Sequence, residues 1–203
     1  MGQIYRRNTM FKTNNLGGWI IPAGTEIAAE TEIPRYSEIG DGCTIGNRCK
    51  LGYGCKLGNY CTLGNYCTIG YDCTLGNYCT LGYDCDIGYD CTIGNRCTIG
   101  DGCDIGYGCT IGYGCKIGNG CTIGNRCTIG DYCTWLGVKV KSWLTLANVD
   151  GSNRQIKIVR SDEGEIKIEA GCFIGTLDEF IAKAKSEGKL RYVAVISAIA
   201  EHV

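Results

Sequence analysis

A cysteine stands at every sixth position from Cys43 to Cys133. From Ile39 the chain keeps one frame, IGDGCT IGNRCK LGYGCK LGNYCT LGNYCT IGYDCT LGNYCT LGYDCD and onward to IGDYCT, ending at Thr134 without an insertion. That is sixteen hexads over residues 39 to 134. Three weaker hexads precede them in the same frame, IPAGTE from Ile21, IAAETE from Ile27 and IPRYSE from Ile33, with Thr25, Thr31 and Ser37 in the cysteine slot. A period of six fits neither the 3.6-residue helical turn nor the heptad. Repeats this short imply a solenoid in which each rung buries its apolar face on the next.

Every hexad opens on Ile or Leu, and a small residue stands two places before the next opening. In an extended strand those two positions face the same way. The segment C-T-I-G therefore points Cys and Ile inward and Thr and Gly outward. The remaining pair, such as Asn77-Tyr78 or Tyr83-Asp84, falls at a corner, where Gly, Asn and Asp suit a bend or a positive φ. One hexad is one short strand and one corner.

The pattern of Ile or Leu, Gly, two variable residues, a small residue and one more resembles the hexapeptide-repeat, left-handed parallel β-helix family, over residues 21–134. The resemblance implies three hexads, or 18 residues, per triangular coil, about six coils, and a prism roughly 30 Å long at the spacing of neighbouring strands. The left hand follows from the resemblance alone, since parallel crossovers are generally right-handed. The resemblance also implies a homo-oligomer, a trimer first of all.

Residues 18 apart then share a corner. The first corner carries Asp41, Asn59, Asn77, Asn95, Tyr113 and Asp131, the second Asn47, Asn65, Tyr83, Asp101 and Asn119, and the third Tyr53, Tyr71, Tyr89 and Tyr107, then Asn125. Asn ladders and stacked aromatics stabilise parallel, in-register strands. A continuous tyrosine column is also the material of interface anchors. Tyr53, Tyr71, Tyr89 and Tyr107 are the candidate binding residues. The outward threonines, Thr62, Thr80 and Thr98 on one face and Thr74, Thr92, Thr110 and Thr128 on another, look like the ice-binding face of some β-helical antifreeze proteins. Lys50, Lys56, Asp86, Asp104 and Lys116 interrupt those columns.

The thiols form neither the paired CxxC spacing nor the Cys/His set of a zinc site. In-register side chains on parallel strands are poorly aimed for disulfides, and hydroxyls fill the same slot in the first three hexads. The cysteines are read as reduced packing groups, with occasional disulfides or soft-metal binding as rival readings. No cofactor and no metal site is expected.

Charge is balanced, 20 Lys+Arg against 21 Asp+Glu, so no footprint for nucleic acid or an anionic membrane is visible. The N-terminal stretch MGQIYRRNTMFKTNNLGGWIIPAG lacks a signal-peptide core, and no run approaches the roughly 20 apolar residues of a membrane span. The expected location is the cytoplasm, where thiols stay reduced.

Residues 1–20 are read as an N-terminal cap or arm, and residues 135–203 as a small β-β-β-α-α domain. In the latter, Ile156 and Ile158, then Ile166 and Ile168, alternate with charged residues, with turns at Asp150-Gly151 and in SDEGE. Thr176-Leu177-Asp178-Glu179 is a capping box that opens a helix over about 177–186. A second helix runs from about Leu190 to the end, with Leu190, Val193, Ile196, Ile199 and Val203 on one stripe. Cys172 is expected in the core of this domain. The fold class is thus an all-β solenoid followed by a small α+β unit.

The tail, with its I-x-x-G-C strand end at Ile168, Gly171 and Cys172, resembles a group of uncharacterised repeat proteins of phages and prophages. The hexapeptide-repeat resemblance raises acyl transfer, in which a histidine between neighbouring solenoids is the general base. The one histidine here is His202. The expected function is therefore non-enzymatic: a rigid homo-oligomer presenting Tyr, Asn and Thr columns to a protein, a glycan or itself. Alternatives are a phage-type inhibitor or sponge holding a small molecule or host protein in subunit clefts, an acyltransferase, and an ice-binding protein.

Overall fold

A computed structural model describes residues 4–5, 11–147, 149, 155–200 and 202. The chain forms two compact units, Met1–Cys133 and Thr134–Val203.

The first unit is a parallel β-solenoid of two-residue strands, each hydrogen-bonded to the strand 18 residues on. Thr44, Thr62, Thr80, Thr98 and Lys116 pair in sequence on the first face. Glu32, Lys50, Thr68, Asp86, Asp104 and Thr122 pair on the second. Glu38, Lys56, Thr74, Thr92, Thr110 and Thr128 pair on the third. The three-hexad coil is thus the observed one.

The first coil reaches further toward the N-terminus than the repeat. Ile4–Tyr5 pairs in parallel with Glu26–Ile27, and Trp19–Ile21 with Glu38–Ile39. Lys12–Thr13 folds back antiparallel on Trp19–Ile20. Asn14 closes that hairpin, its Oδ1 accepting from the Leu16 and Gly18 amides and its Nδ2 donating to the Tyr36 carbonyl at 2.7 Å.

Inside, the Ile/Leu and Cys of nearly every hexad are buried. The glycine after each Ile or Leu is there because neighbouring coils touch. A Cβ at Gly76 would stand 2.5 Å from the carbonyl carbon and oxygen of Gly58. The corners obey a different rule. Positive φ falls on the second residue of the corner pair, at Gly42, Gly54 and Gly102, but also at Arg48, Tyr60, Tyr66, Asp72, Tyr78, Asp90 and Arg96, with φ between 53° and 59° for these non-glycines. A left-handed L residue costs about 1 kcal/mol. The corner amide is held all the same, as in Tyr60, whose N–H donates to the Asn77 carbonyl at 2.9 Å.

The second unit opens with Thr134–Trp135 antiparallel to Val138–Lys139, through a two-residue turn at Leu136 and Gly137 with φ of 52° and 79°. Paired positive φ is the signature of a tight hairpin. Val138–Ala147, Gln155–Ser161, Ile166–Ala170 and Phe173–Thr176 form an antiparallel meander. The last of these strands was not foreseen. Turn formation at SDEGE is observed, the Ser161 amide donating to Glu165 with Gly164 at φ 85°. The Asp150-Gly151 turn lies outside the described residues.

Helix α1, Leu177–Ser186, begins at the expected capping box: the Glu179 amide donates to Thr176 Oγ1 at 3.3 Å and the Thr176 amide to Glu179 Oε2 at 2.8 Å. Helix α2 spans Leu190–Ala200. Ile156, Ile158, Ile168, Phe180, Ala184, Tyr192 and Ile196 form the core between sheet and helices.

Three readings of this unit change. The buried side of α2 is Tyr192, Ile196 and Ala200, whereas Leu190 is exposed. Spacings of four keep this face against α1, while a run of threes drifts around the helix. Val203 lies outside the described residues. Cys172 is exposed rather than in the core, because it follows Gly171, φ 62°, in the turn between the last two strands. Finally, Lys157 and Glu169, which alternate with the core isoleucines, are themselves buried. Their Nζ–Oε1 distance of 2.7 Å satisfies both charges, as burial of such groups requires.

Candidate functional site

The corners of the solenoid carry the exposed, variable chemistry. At the first two corners the side chain of each Asn or Asp reaches along the prism. Asn59 Oδ1 accepts from the Asn77 amide at 2.8 Å and Asn77 Oδ1 from the Asn95 amide at 2.8 Å. Asn47 Oδ1 does the same for Asn65, and Asp101 Oδ1 for Asn119. These ladders tie each coil to the next through backbone amides.

The third corner differs because tyrosine cannot make that bond. Tyr53, Tyr71, Tyr89 and Tyr107 stand 43%, 55%, 54% and 39% exposed. Tyr71 and Tyr89 stack with ring centroids 5.0 Å apart and planes at 8°. Tyr53 meets Tyr36 edge-on at 5.4 Å, and its phenol is pushed up from its ordinary value by a hydrogen bond to Asp72 and by that carboxylate's charge. Tyr107 lies under the guanidinium of Arg126 at 5.4 Å. The four predicted residues share one edge, each with a different neighbour.

The same 18-residue arithmetic, applied to the second residue of each corner pair, finds further aromatics that the sequence reading passed over. Tyr60 and Tyr78 stack at 5.0 Å and 7° on the first corner. Arg96 continues that column, 5.8 Å from the Tyr78 ring, with Nη1 donating to its hydroxyl at 3.2 Å. On the second corner Arg48 lies 5.8 Å from the Tyr66 ring.

Carboxylates border the third corner. Asp72 and Asp90 are its second residues, and Asp86 and Asp104 stand outward on the strands leading into it, all exposed. Asp86 and Asp104 are direct cross-strand partners. Like charges in that relation are destabilising. Asp104→Thr is expected to raise stability by about 0.5 kcal/mol, read as a higher urea midpoint than wild type at low salt, with the difference shrinking as salt is added.

The thiols form three columns inside, and each Sγ donates to the carbonyl of the residue 21 positions earlier: Cys61 to Gly40 at 3.3 Å, Cys79 to Gly58 at 3.3 Å, Cys91 to Gly70 at 3.1 Å. The backbone ladder uses the carbonyls of the Ile/Leu, the Cys and the first corner residue. The thiol serves the glycine carbonyl between them. Cys43, Cys49 and Cys127, at column ends, are pushed well up by the neighbouring thiol and by burial. Protonated and enclosed, they are poor nucleophiles and poor metal ligands. Cys55 moves down to about 7, because the Cys73 thiol and Ser37 donate to it. His202 is exposed, in the last described turn.

The family described as bacterial transferase hexapeptide (six repeats) matches residues 36–71, two coils of this register. The repeat region is a hexapeptide-repeat β-helix. No curated protein and no solved structure matches the chain. Within the β-helix, the matched residues include Tyr53 and Tyr71 and the Asn47–Asn65 step of the second ladder.

Proposed function

We propose that the β-helix is a non-enzymatic binding scaffold, acting as a homo-oligomer, whose third corner contacts a partner through Tyr53, Tyr71, Tyr89 and Tyr107. The observation that carries this reading is the exposed Tyr71–Tyr89 stack, 5.0 Å between centroids, on a backbone tied at every rung. Aromatic area held rigid by a scaffold loses little conformational entropy on binding, and tyrosine supplies both an apolar face and a hydrogen-bonding tip.

A photo-crosslinking residue placed at position 89 tests it. The expected result is a discrete crosslinked species from the source cell, formed at position 89 and not at Thr80 on the first face. Equal products at both positions, or none at 89, would reject the reading. The matched family is described as a transferase, which supports acyl transfer as the second reading. It requires a base, and the one histidine of the chain is His202. Coenzyme A affinity that is lost on His202→Ala would favour it.

A further inference from the structure

The corner tyrosines already show what they accept. Where an arginine neighbours one of them, its guanidinium lies by the ring: Arg35 at Tyr36, Arg48 at Tyr66, Arg96 at Tyr78 and Arg126 at Tyr107, at 5.4 to 5.8 Å. These distances fall within the reach of cation–π attraction.

Tyr89 has the same setting without the arginine. Arg126 stands 19 residues after Tyr107, and the residue 19 after Tyr89 is Gly108. Gly108 takes φ 73°, in the same left-handed region as Arg126 at 59°, so the backbone at the two places is alike. The side chain that would cover the ring is missing. In its place lies a carboxylate: Asp90 Oδ1 is 2.2 Å from where a Cβ on Gly108 would be. Asp86 and Asp104 add negative charge on the adjoining face. From Leu57 to Asn95 the sequence holds Asp72, Asp84, Asp86 and Asp90 and no lysine or arginine. The chain thus lacks a cation of its own along this stretch of the corner.

We propose that Tyr89, Asp90 and the open position at Gly108 receive the guanidinium of an arginine from an extended segment of a partner protein. The inference rests on the third corner being the contact surface. The guanidinium would stack on the Tyr89 ring as Arg126 does on Tyr107, and donate to the Asp90 carboxylate, a pairing that lysine's compact ammonium reproduces poorly. The exposed Asp86–Asp104 pair, unfavourable within the chain, would gain a counter-charge on binding.

The test is a fluorescence anisotropy titration of labelled nona-arginine, with nona-lysine as a probe of equal charge. Nona-arginine is expected to bind more tightly than nona-lysine, and Tyr89→Ala to weaken it about fivefold. Tyr89→Phe should retain most of the affinity, and Tyr60→Ala, on the first corner, all of it. Gly108→Arg, which supplies an internal guanidinium, is expected to weaken the peptide as much as Tyr89→Ala while leaving circular dichroism unchanged. Equal affinity for the two peptides, or indifference to both Tyr89→Ala and Gly108→Arg, would overturn the proposal. Failure of nona-arginine to bind alongside a discrete crosslink at position 89 would reject the arginine receptor and leave the corner as the contact surface. Failure of both would reject both.

Discussion

Gly76→Ala is expected to lower the stability of the β-helix by about 3 kcal/mol, the upper part of the range for forcing a methyl into a packed interior. Gly76 has no positive φ to defend, so the cost is purely steric. Its missing Cβ would meet Gly58 C and O at 2.5 Å and Asn59 N at 2.7 Å, all backbone atoms of the coil before. No side chain can rotate aside. The coils are spaced by ladder bonds such as the Gly76 amide to the Leu57 carbonyl at 2.9 Å, so relief means stretching those bonds. For a chain of this size the loss corresponds to roughly 6–12 °C in Tm. Gly24→Ala is the control: φ is 69° and a Cβ would meet nothing within 4 Å. It should cost only about 1 kcal/mol, the price of a left-handed alanine. Equal losses at the two positions would mean that backbone conformation, and not coil contact, selects glycine throughout.

Cys79→Ala is expected to cost about 2 kcal/mol, from lost buried volume and from a Gly58 carbonyl left without its thiol. Cys79 is enclosed, with its Sγ 3.3 Å from that carbonyl. Cys79→Ser should cost about half as much, because a hydroxyl still donates. The chain itself makes that exchange: Thr25 Oγ1 donates to the Pro22 carbonyl at 2.5 Å, and the same carbonyl takes the thiol of Cys43 at 3.2 Å. Urea midpoints of the three proteins order the effects, and copper and zinc analysis of each separates packing from metal binding. Wild-type stability in Cys79→Ala, or stoichiometric metal lost with the thiol, would contradict the packing role.

The coil was legible because one frame runs unbroken through residues 21–134 and three hexads close a turn, so every shared corner followed from addition alone. The tyrosine edge was legible for that reason. What the frame hides is how atoms use each position. It does not reveal that the Asn ladder bonds to backbone amides 18 residues on, since stacked Asn side chains could equally bond to each other. Nor does it say which corner residue turns left-handed. Tyr60, Tyr78 and Arg96 do so despite their β-carbons, because the corner amides are bonded across coils and the side chains stack outside. Tracking only the first residue of each pair left that column unseen.

Outside the repeat, periodicity is shorter and says less. Ile4–Tyr5 and Lys12–Thr13 carry no hexad, and their pairing depends on partners supplied by Glu26–Ile27 and Trp19–Ile20. Lys157 and Glu169 read as solvent-facing by alternation, and only their mutual placement across two strands makes burial tolerable.

The continuous column is best tested by a double-mutant cycle between Tyr71 and Tyr89. Their stacked rings should give a coupling of about 1 kcal/mol in the unfolding free energies of Tyr71→Ala, Tyr89→Ala and the double variant. The same cycle between Tyr71 and Tyr83, 12 residues apart and on different corners, should be additive. Coupling in the first cycle with additivity in the second is the outcome of an 18-residue coil. Additivity between Tyr71 and Tyr89 would contradict it.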